Sequence, residues 1–313
     1  MKSLSVEKLV IGSRGSPLAL AQTKLVAEAL RTNFPEIKIK IKIIKTTGDT
    51  VRDRPLSHLG GKGLFTREIE EALLQSRIDI AVHSAKDMET HLPAGLTLAA
   101  VLPREDPRDA LLSAKAEPIS NLPVGSVLGT TSPRRRAQIL YSFPNLKVVS
   151  IRGNVETRIR KLRDGEVDAI LLAVAGLKRL RLFSRNIKIL EPEEMLPSAA
   201  QGTIGIESRE EDGVVADLLA SINHIETMQM TMAERALLGA LGGSCHTPIG
   251  ALAESLPNGQ IGLKAMIADP NGAWVYRIKN NSKAANAVIL GKKMGEELRT
   301  QVLQGHGDSI FDE

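Results

Sequence analysis

The stretch SVLGTTSPRRRAQILYSFPNLKVVSIRGNVETRIRKLRDGEVDAILLAVA, Ser126 to Ala175, decides the fold class. Ser126 to Gly129 reads as a short strand, TTSP as a turn and Arg134 to Ser142 as a helix. Lys147 to Ile151 is a second strand, RGN a second turn, and Val155 to Arg163 a helix closed by Gly165. Asp168 to Ala175 follows as a buried strand. Strand–turn–helix alternation of this kind predicts parallel α/β sheets.

The same grammar appears nearer the start. Lys8 to Gly12 is a strand, SRGSP a turn, and Pro17 to about Asn33 a helix. Ser16 suits the N-cap and Pro17 the first helical position. Ile37 to Ile44 alternates Ile with Lys, as a half-exposed strand does. Thr46 to Lys62 has loop chemistry, Leu64 to Gln75 is an amphipathic helix, and Ile78 to His83 is another strand. Two α/β regions result, Met1 to about Leu102 and Asp109 to Leu196, joined by a crossing at Pro103 to Asp109. After His224 the pattern changes. A helix over Glu226 to Leu241, strands separated by the turn signals PNG and DPNG, and a helix from Ala284 to Leu303 predict a small α+β domain. The tail GHGDSIFDE reads as mobile.

Composition narrows the function classes. The chain has 313 residues, 42% of them apolar and 25% charged, the balance of a globular protein. Aromatics are only 3%, which argues against the stacking platforms of single-stranded nucleic-acid binders. The net charge of +5 is modest, and several arginines sit at strand-to-helix turns instead of forming one basic tail. The single cysteine excludes an internal disulfide and points to a reducing compartment. The N-terminus lacks the apolar segment of a signal peptide, and no apolar run reaches the length of a membrane span. The longest such run, Ala169 to Leu177, fits a buried strand.

Three groupings carry chemistry. Arg14 with Ser16, then Thr130, Thr131, Ser132, Arg134 and Arg135, then Arg152, Asn154 and Arg158, stand around the starts of successive helices. Arginines there oppose the helix dipole, so a set of them makes sense where an anion is held by backbone N–H groups and guanidinium forks together. HSAKD, His83 to Asp87, follows a buried strand and delivers Lys86 and Asp87 to the same kind of sheet edge. A carboxylate among cations stays ionised and can stabilise a cationic intermediate or move a proton. GGSCHTPIG, Gly242 to Gly250, sets Cys245 in a glycine-rich loop, where a reactive or modified thiol fits better than a buried one. The six histidines are scattered without metal-ligand spacing, and neither a P-loop nor a GxSxG elbow is present, so no metal site is indicated.

Taken in order, GSRGSPLALAQ, GGKGLF, DIAVHSAKD, REDPRDA, GTTSPRRRAQ, IRGNVETR, DAILLAVAGLKRL, PSAAQGTIGIE and GGSCHTPIG resemble the porphobilinogen deaminase family from Gly12 to Gly250. The resemblance implies two α/β domains like those of periplasmic binding proteins and a small α+β domain bearing the cysteine. It places the boundaries at 1–103 plus 201–222, at 108–196 and at 225–313, with AQGTIGIE passing back through the first domain. It implies a transferase that joins four porphobilinogen units head to tail into hydroxymethylbilane, releasing ammonia, in tetrapyrrole biosynthesis. The primer is a dipyrromethane cofactor in thioether linkage to Cys245. Asp87 matches the catalytic aspartate. Arg14, Arg134, Arg135, Arg152, Arg158, Arg179 and Lys86 match the family's substrate and cofactor cations. Ser16, Ser84, Thr130, Ser132 and Gln201 match polar ligands of the cofactor carboxylates. Lys62 belongs to the GGKGLF motif of the same binding set, Phe65 matches an aromatic near the incoming ring, and Asp49 a loop acid. The expected partner is the small-molecule substrate, with no nucleic acid and no membrane, for a cytoplasmic monomer. His58 stands where many members have lysine, DMET replaces a common D-V-P-T, and Pro133 replaces a usual leucine. These departures touch the loop's anion contacts and leave the core residues in place.

Two other classes compete. A small-anion binding protein would share the lobes and the arginines but has no use for a cysteine loop. A nucleic-acid binder would need a contiguous basic face and would show steep salt dependence.

Overall fold

The short apolar runs become three β-sheets in the computed structural model, which describes residues 7–50, 63–114, 117–184, 187–242, 247–308 and 311. In chain order the elements begin with β1 (Lys8–Ser13), α1 (Pro17–Asn33), β2 (Lys38–Ile43), α2 (Thr47–Thr50), α3 (Arg67–Leu74), β3 (Ile80–Ser84) and β4 (Leu96–Val101). There follow β5 (Asp109–Ser113), β6 (Val127–Gly129), α4 (Pro133–Ser142), β7 (Lys147–Val149), α5 (Val155–Arg163), β8 (Ala169–Ala173), α6 (Val174–Arg179) and β9 (Ile187–Ile189). The chain continues with β10 (Ile204–Arg209), α7 (Gly213–Ala220), α8 (Ile225–Leu241), β11 (Ile249–Leu256), β12 (Gln260–Ala268), β13 (Val275–Lys283) and α9 (Ala287–His306). It divides into two compact units: Met1–Glu105 with Thr203–Met228, and Asp106–Gly202 with Gln229–Glu313.

The first unit holds a sheet of order β2-β1-β3-β10-β4. β2, β1 and β3 are parallel, and β10 runs antiparallel to both β3 and β4. The sheet is therefore mixed, not purely parallel as the alternation predicts. Local periodicity cannot reveal that a strand from residue 204 onward inserts beside one from residue 80. One face buries Leu9, Ile11, Val82 and Ile206 with Val26 and Leu30 of α1. The other buries Ala81 and Ile78 against Ile69 and Leu73 of α3.

The second unit repeats the arrangement as β7-β6-β8-β5-β9, again with a parallel trio followed by an antiparallel strand, β5, between β8 and β9. Here the apolar run from Ala169 divides. Its first half is β8, and Val174, Ala175 and Leu177 stay buried as the first residues of α6. An apolar run alone does not separate a buried strand from a buried helix. This unit also contains the antiparallel sheet β11-β12-β13, whose core joins Leu263 and Ile267 to Leu237 of α8 and Met294 and Leu298 of α9. A further buried cluster of Ala137, Leu196, Leu252 and Met266 connects α4 to β11 and β12. α9 extends past the expected Leu303 to His306, whose ring stacks on Trp274 with centroids 4.4 Å apart, so part of the expected tail is helix. Among the described residues no helix is long and apolar enough to cross a membrane.

Candidate active site

The turn after β1 forms the centre of one cluster. Ser16 caps α1, accepting from the Ala19 N–H at 3.3 Å, and Pro17 opens the helix. Arg14 precedes the cap and is partly exposed. It donates through Nη2 to Asp49 Oδ1 at 2.5 Å and through Nε to Oδ2 at 3.2 Å, a two-pronged pair that fixes the guanidinium plane. Burial alone would raise the Asp49 carboxyl, but the Arg14 pair and the Thr46 hydroxyl outweigh it and hold it below the usual range. The Arg14 guanidinium also lies 4.2 Å from the Phe65 ring centroid.

β3 supplies the rest. It ends at Ser84, and a 3₁₀ turn over Ala85–Asp87 brings Lys86 and Asp87 to the surface. Ser84 accepts from the Gln22 amide at 2.9 Å. Arg14, Ser16, Gln22, Phe65, His83, Ser84 and Asp87 line one recess, partly open to solvent, with about 400 Å³ of empty space. Lys86 shares the turn but is not among the recess-lining residues. A carboxylate, a guanidinium and two hydroxyls thus face one space, a set that suits a ligand carrying both a carboxylate and a developing positive charge.

The second unit presents its turns differently. Ser132 caps α4 through the Arg135 N–H at 3.4 Å, and Thr130 accepts from the Ser132 N–H at 3.2 Å. Arg134 and Arg135 then turn inward, only 4% and 5% exposed, onto Asp109, which is wholly buried. Arg134 Nη2 lies 2.8 Å from Asp109 Oδ2, and Arg135 Nη2 lies 2.7 Å from Oδ1. Gln201 donates to the same Oδ1 at 2.8 Å and to the Pro107 carbonyl at 2.7 Å. The arginines also donate to the carbonyls of Leu196 and Leu171. Burial would raise Asp109, but two adjacent guanidiniums dominate and hold it far below the ordinary carboxylate range. Two cations against one anion leave one positive charge in excess. Arg152, Arg158 and Arg179 are half-buried, Arg158 donating to the Gly153 carbonyl at 2.8 Å and Arg179 to that of Gly202 at 2.6 Å. Asn154 caps α5 through the Thr157 N–H.

The expected residues therefore form two groups, one in each unit. Arg14, Ser16, Phe65, Ser84 and Asp87 share the recess of the first unit, while Arg134, Arg135 and Gln201 meet on Asp109 in the second. Cys245, Lys62 and His58 lie outside the described residues. Sequence reading gave no role to Asp109, Gln22 or His83. Asp109 had a visible signal, an acid opening the otherwise apolar strand DALL.

The model of the porphobilinogen deaminase dipyromethane cofactor binding domain matches residues 9–217, and that of the porphobilinogen deaminase C-terminal domain matches residues 228–300. The chain belongs to the porphobilinogen deaminase family. Among its relatives, the chloroplastic porphobilinogen deaminase of Oryza sativa subsp. japonica is 46% identical over 97% of this chain and 87% of the relative. The porphobilinogen deaminase of Paracoccus denitrificans is 49% identical over 92% and 93%. Of solved structures, the BenM effector binding domain with its effector benzoate aligns over 70% of this chain and 91% of that chain, with 18% identity and a TM-score of 0.42.

Proposed function

We propose that the chain is a hydroxymethylbilane synthase, joining porphobilinogen units head to tail with release of ammonia. The observation that carries the reading is the recess at the end of β3, where Asp87 shares a wall with Arg14 and two hydroxyls. Porphobilinogen has carboxylates to be held and an amino group to be lost, and these residues match both needs. The Arg14 guanidinium, fixed by Asp49 and Phe65, suits a substrate carboxylate. Asp87, an exposed carboxylate on a short turn, suits proton movement at the departing amine and attraction to the cation left behind.

The donor set also fits a polycarboxylate cofactor. The bound dipyrromethane would supply the primer to which units are added. Thr130, Ser132, Arg152, Arg158 and Arg179 would hold its carboxylates, with Lys62, Ser84 and Lys86 contributing. Arg134 and Arg135 leave one buried positive charge in excess beside the capped turn of α4, which favours an anion nearby. Gln201 steadies the same network. Cys245 would carry the thioether. The chain is read as a cytoplasmic monomer of three domains, 1–103 with 201–222, 108–196 and 225–313.

Intact mass tests the reading. Purified protein should exceed its sequence mass by one dipyrromethane, and Cys245→Ala should show no excess. Purified protein of bare polypeptide mass that still converted porphobilinogen would refute the cofactor assignment.

A further inference from the structure

The two mixed sheets can be superposed by register, and one pair of positions then differs in kind. Gly12 of β1 pairs with Ala81 of β3, and Gly129 of β6 pairs with Ile170 of β8. His83 in the first unit therefore corresponds to Leu172 in the second. Across the antiparallel neighbour, Ala81 faces Glu207 and Ile170 faces Leu112, so Glu207 corresponds to Leu112. In the second unit both positions belong to an apolar cluster. The same architecture thus accommodates leucines where the first unit has an imidazole and a carboxylate.

Those ionisable groups are deeply buried. His83 is 5% exposed and Glu207 not at all, with Nε2 and Oε2 3.1 Å apart. From α3, Glu70 joins them at 6% exposure. Neither His83 Nε2, nor Glu70 Oε1, nor either Glu207 carboxylate oxygen completes a well-formed hydrogen bond among the described residues. Burial is the main cause that pushes the Glu70 carboxyl above its usual range, and the nearby Glu207 and Glu89 carboxylates add to it. A buried ion pair is replaceable by well-packed leucines at little cost, so stability does not account for the set. Its location does: His83 lines the recess beside Ser84 and Asp87.

We propose that Glu70, His83 and Glu207 form a proton-sharing set in which His83 faces the ligand and the two glutamates are positioning residues for it. Burial and the Glu207 carboxylate both disfavour a charge on Glu70, so the set can hold a proton where an apolar pair could not. The charged groups around His83 are Glu207 from β10, Glu70 from α3, and Asp87 and Arg14, which line the same recess, while Glu89 acts on Glu70. This inference rests on the recess being the active site, and its test separates the two.

The holoenzyme is compared with Glu207→Gln, Glu70→Gln and the double variant His83→Leu/Glu207→Leu, which copies the second unit. The double variant should fold with a melting temperature near or above that of the wild type. Its kcat should fall about tenfold to a hundredfold, because the end of β3 loses its ionisable support while the arginines that bind carboxylates are untouched. KM should change much less. Glu207→Gln should shift the His83 imidazole titration, followed by NMR, because the carboxylate 3.1 Å from Nε2 is gone. Glu70→Gln should move it less. A double variant with wild-type kcat and pH profile would overturn the proposal, as would a His83 titration indifferent to both glutamates. If the double variant does not fold, the two single variants decide by the same titration. That readout needs no turnover, so an inactive wild type would strike the functional reading while the shared proton remained measurable.

Discussion

The turns after β1 and β6 begin alike and end differently. Both have a glycine in the last two residues of the strand, a serine at the N-cap and a proline at the first helical position. In the first unit the arginine precedes the cap and stays at the recess, fixed by Asp49. In the second unit the arginines follow the cap, one and two residues into the helix after Pro133, and that shift turns them into the interior onto Asp109. The acid differs in the same way. Asp109 is an internal counter-charge wholly removed from water, whereas Asp87 is exposed on a turn. One grammar therefore yields an open recess in one unit and a buried ion cluster in the other. The cause is the position of the charged residue relative to the cap.

The sharpest way to break this contrast is to remove each acid. Asp87→Ala should lower turnover by roughly a hundredfold to ten-thousandfold with the unfolding transition unchanged. Near-normal ammonia release by that variant would end its assignment. Asp109→Ala should act the opposite way, on stability first, because two guanidiniums are left buried without their counter-charge. A loss of about 3–5 kcal/mol in denaturant unfolding is expected. The pH dependence follows in sign. A carboxyl depressed in the folded state contributes stability that is complete above its unfolded value of about 4 and is lost as pH falls toward the folded one. Wild-type stability should therefore decline on acidification below the ordinary carboxylate range, and Asp109→Ala should show a shallower decline.

The shared part of the turns predicts a shared and smaller effect. Ser16→Ala and Ser132→Ala should each cost about 1 kcal/mol, read from chemical denaturation. Markedly unequal losses would mean that the two caps are not equivalent. The smallest effect on stability belongs to Asp49→Ala. Its pair with Arg14 is partly exposed and should contribute less than about 1 kcal/mol. The same variant should raise KM, because the guanidinium loses its fixed plane. An unchanged KM would show that Arg14 needs no such support.

Much of the fold was legible in single stretches. The cap at Ser16, the helix at Val155 to Arg163 and the strand at Lys8 follow from local propensity and are present, and the strand read from Ile78 to His83 forms over Ile80–Ser84. The antiparallel strands β10 and β5 were not legible from periodicity, because an inserted strand has the same two-residue alternation whichever direction its neighbours run. Of the residues that line the recess, Asp87, Arg14 and Ser84 stand out in the sequence by their place after apolar strands. Gln22 could not, since its partner Ser84 lies on β3, far along the chain.

By itself the sequence determined which residues are available at the strand ends: a carboxylate at 87, guanidiniums at 14, 134 and 135, hydroxyls at 16 and 132. Only the tertiary structure decided which of these line an open recess and which meet each other. Arg134 and Arg135 of α4 share the one carboxylate of Asp109 on β5, and His83 lies against Glu207, a residue that the chain reaches only after passing through the second unit. The reason is that the cost of a buried charge is set by whichever partner the folded chain brings within about 3–4 Å, and sequence distance places no limit on that partner.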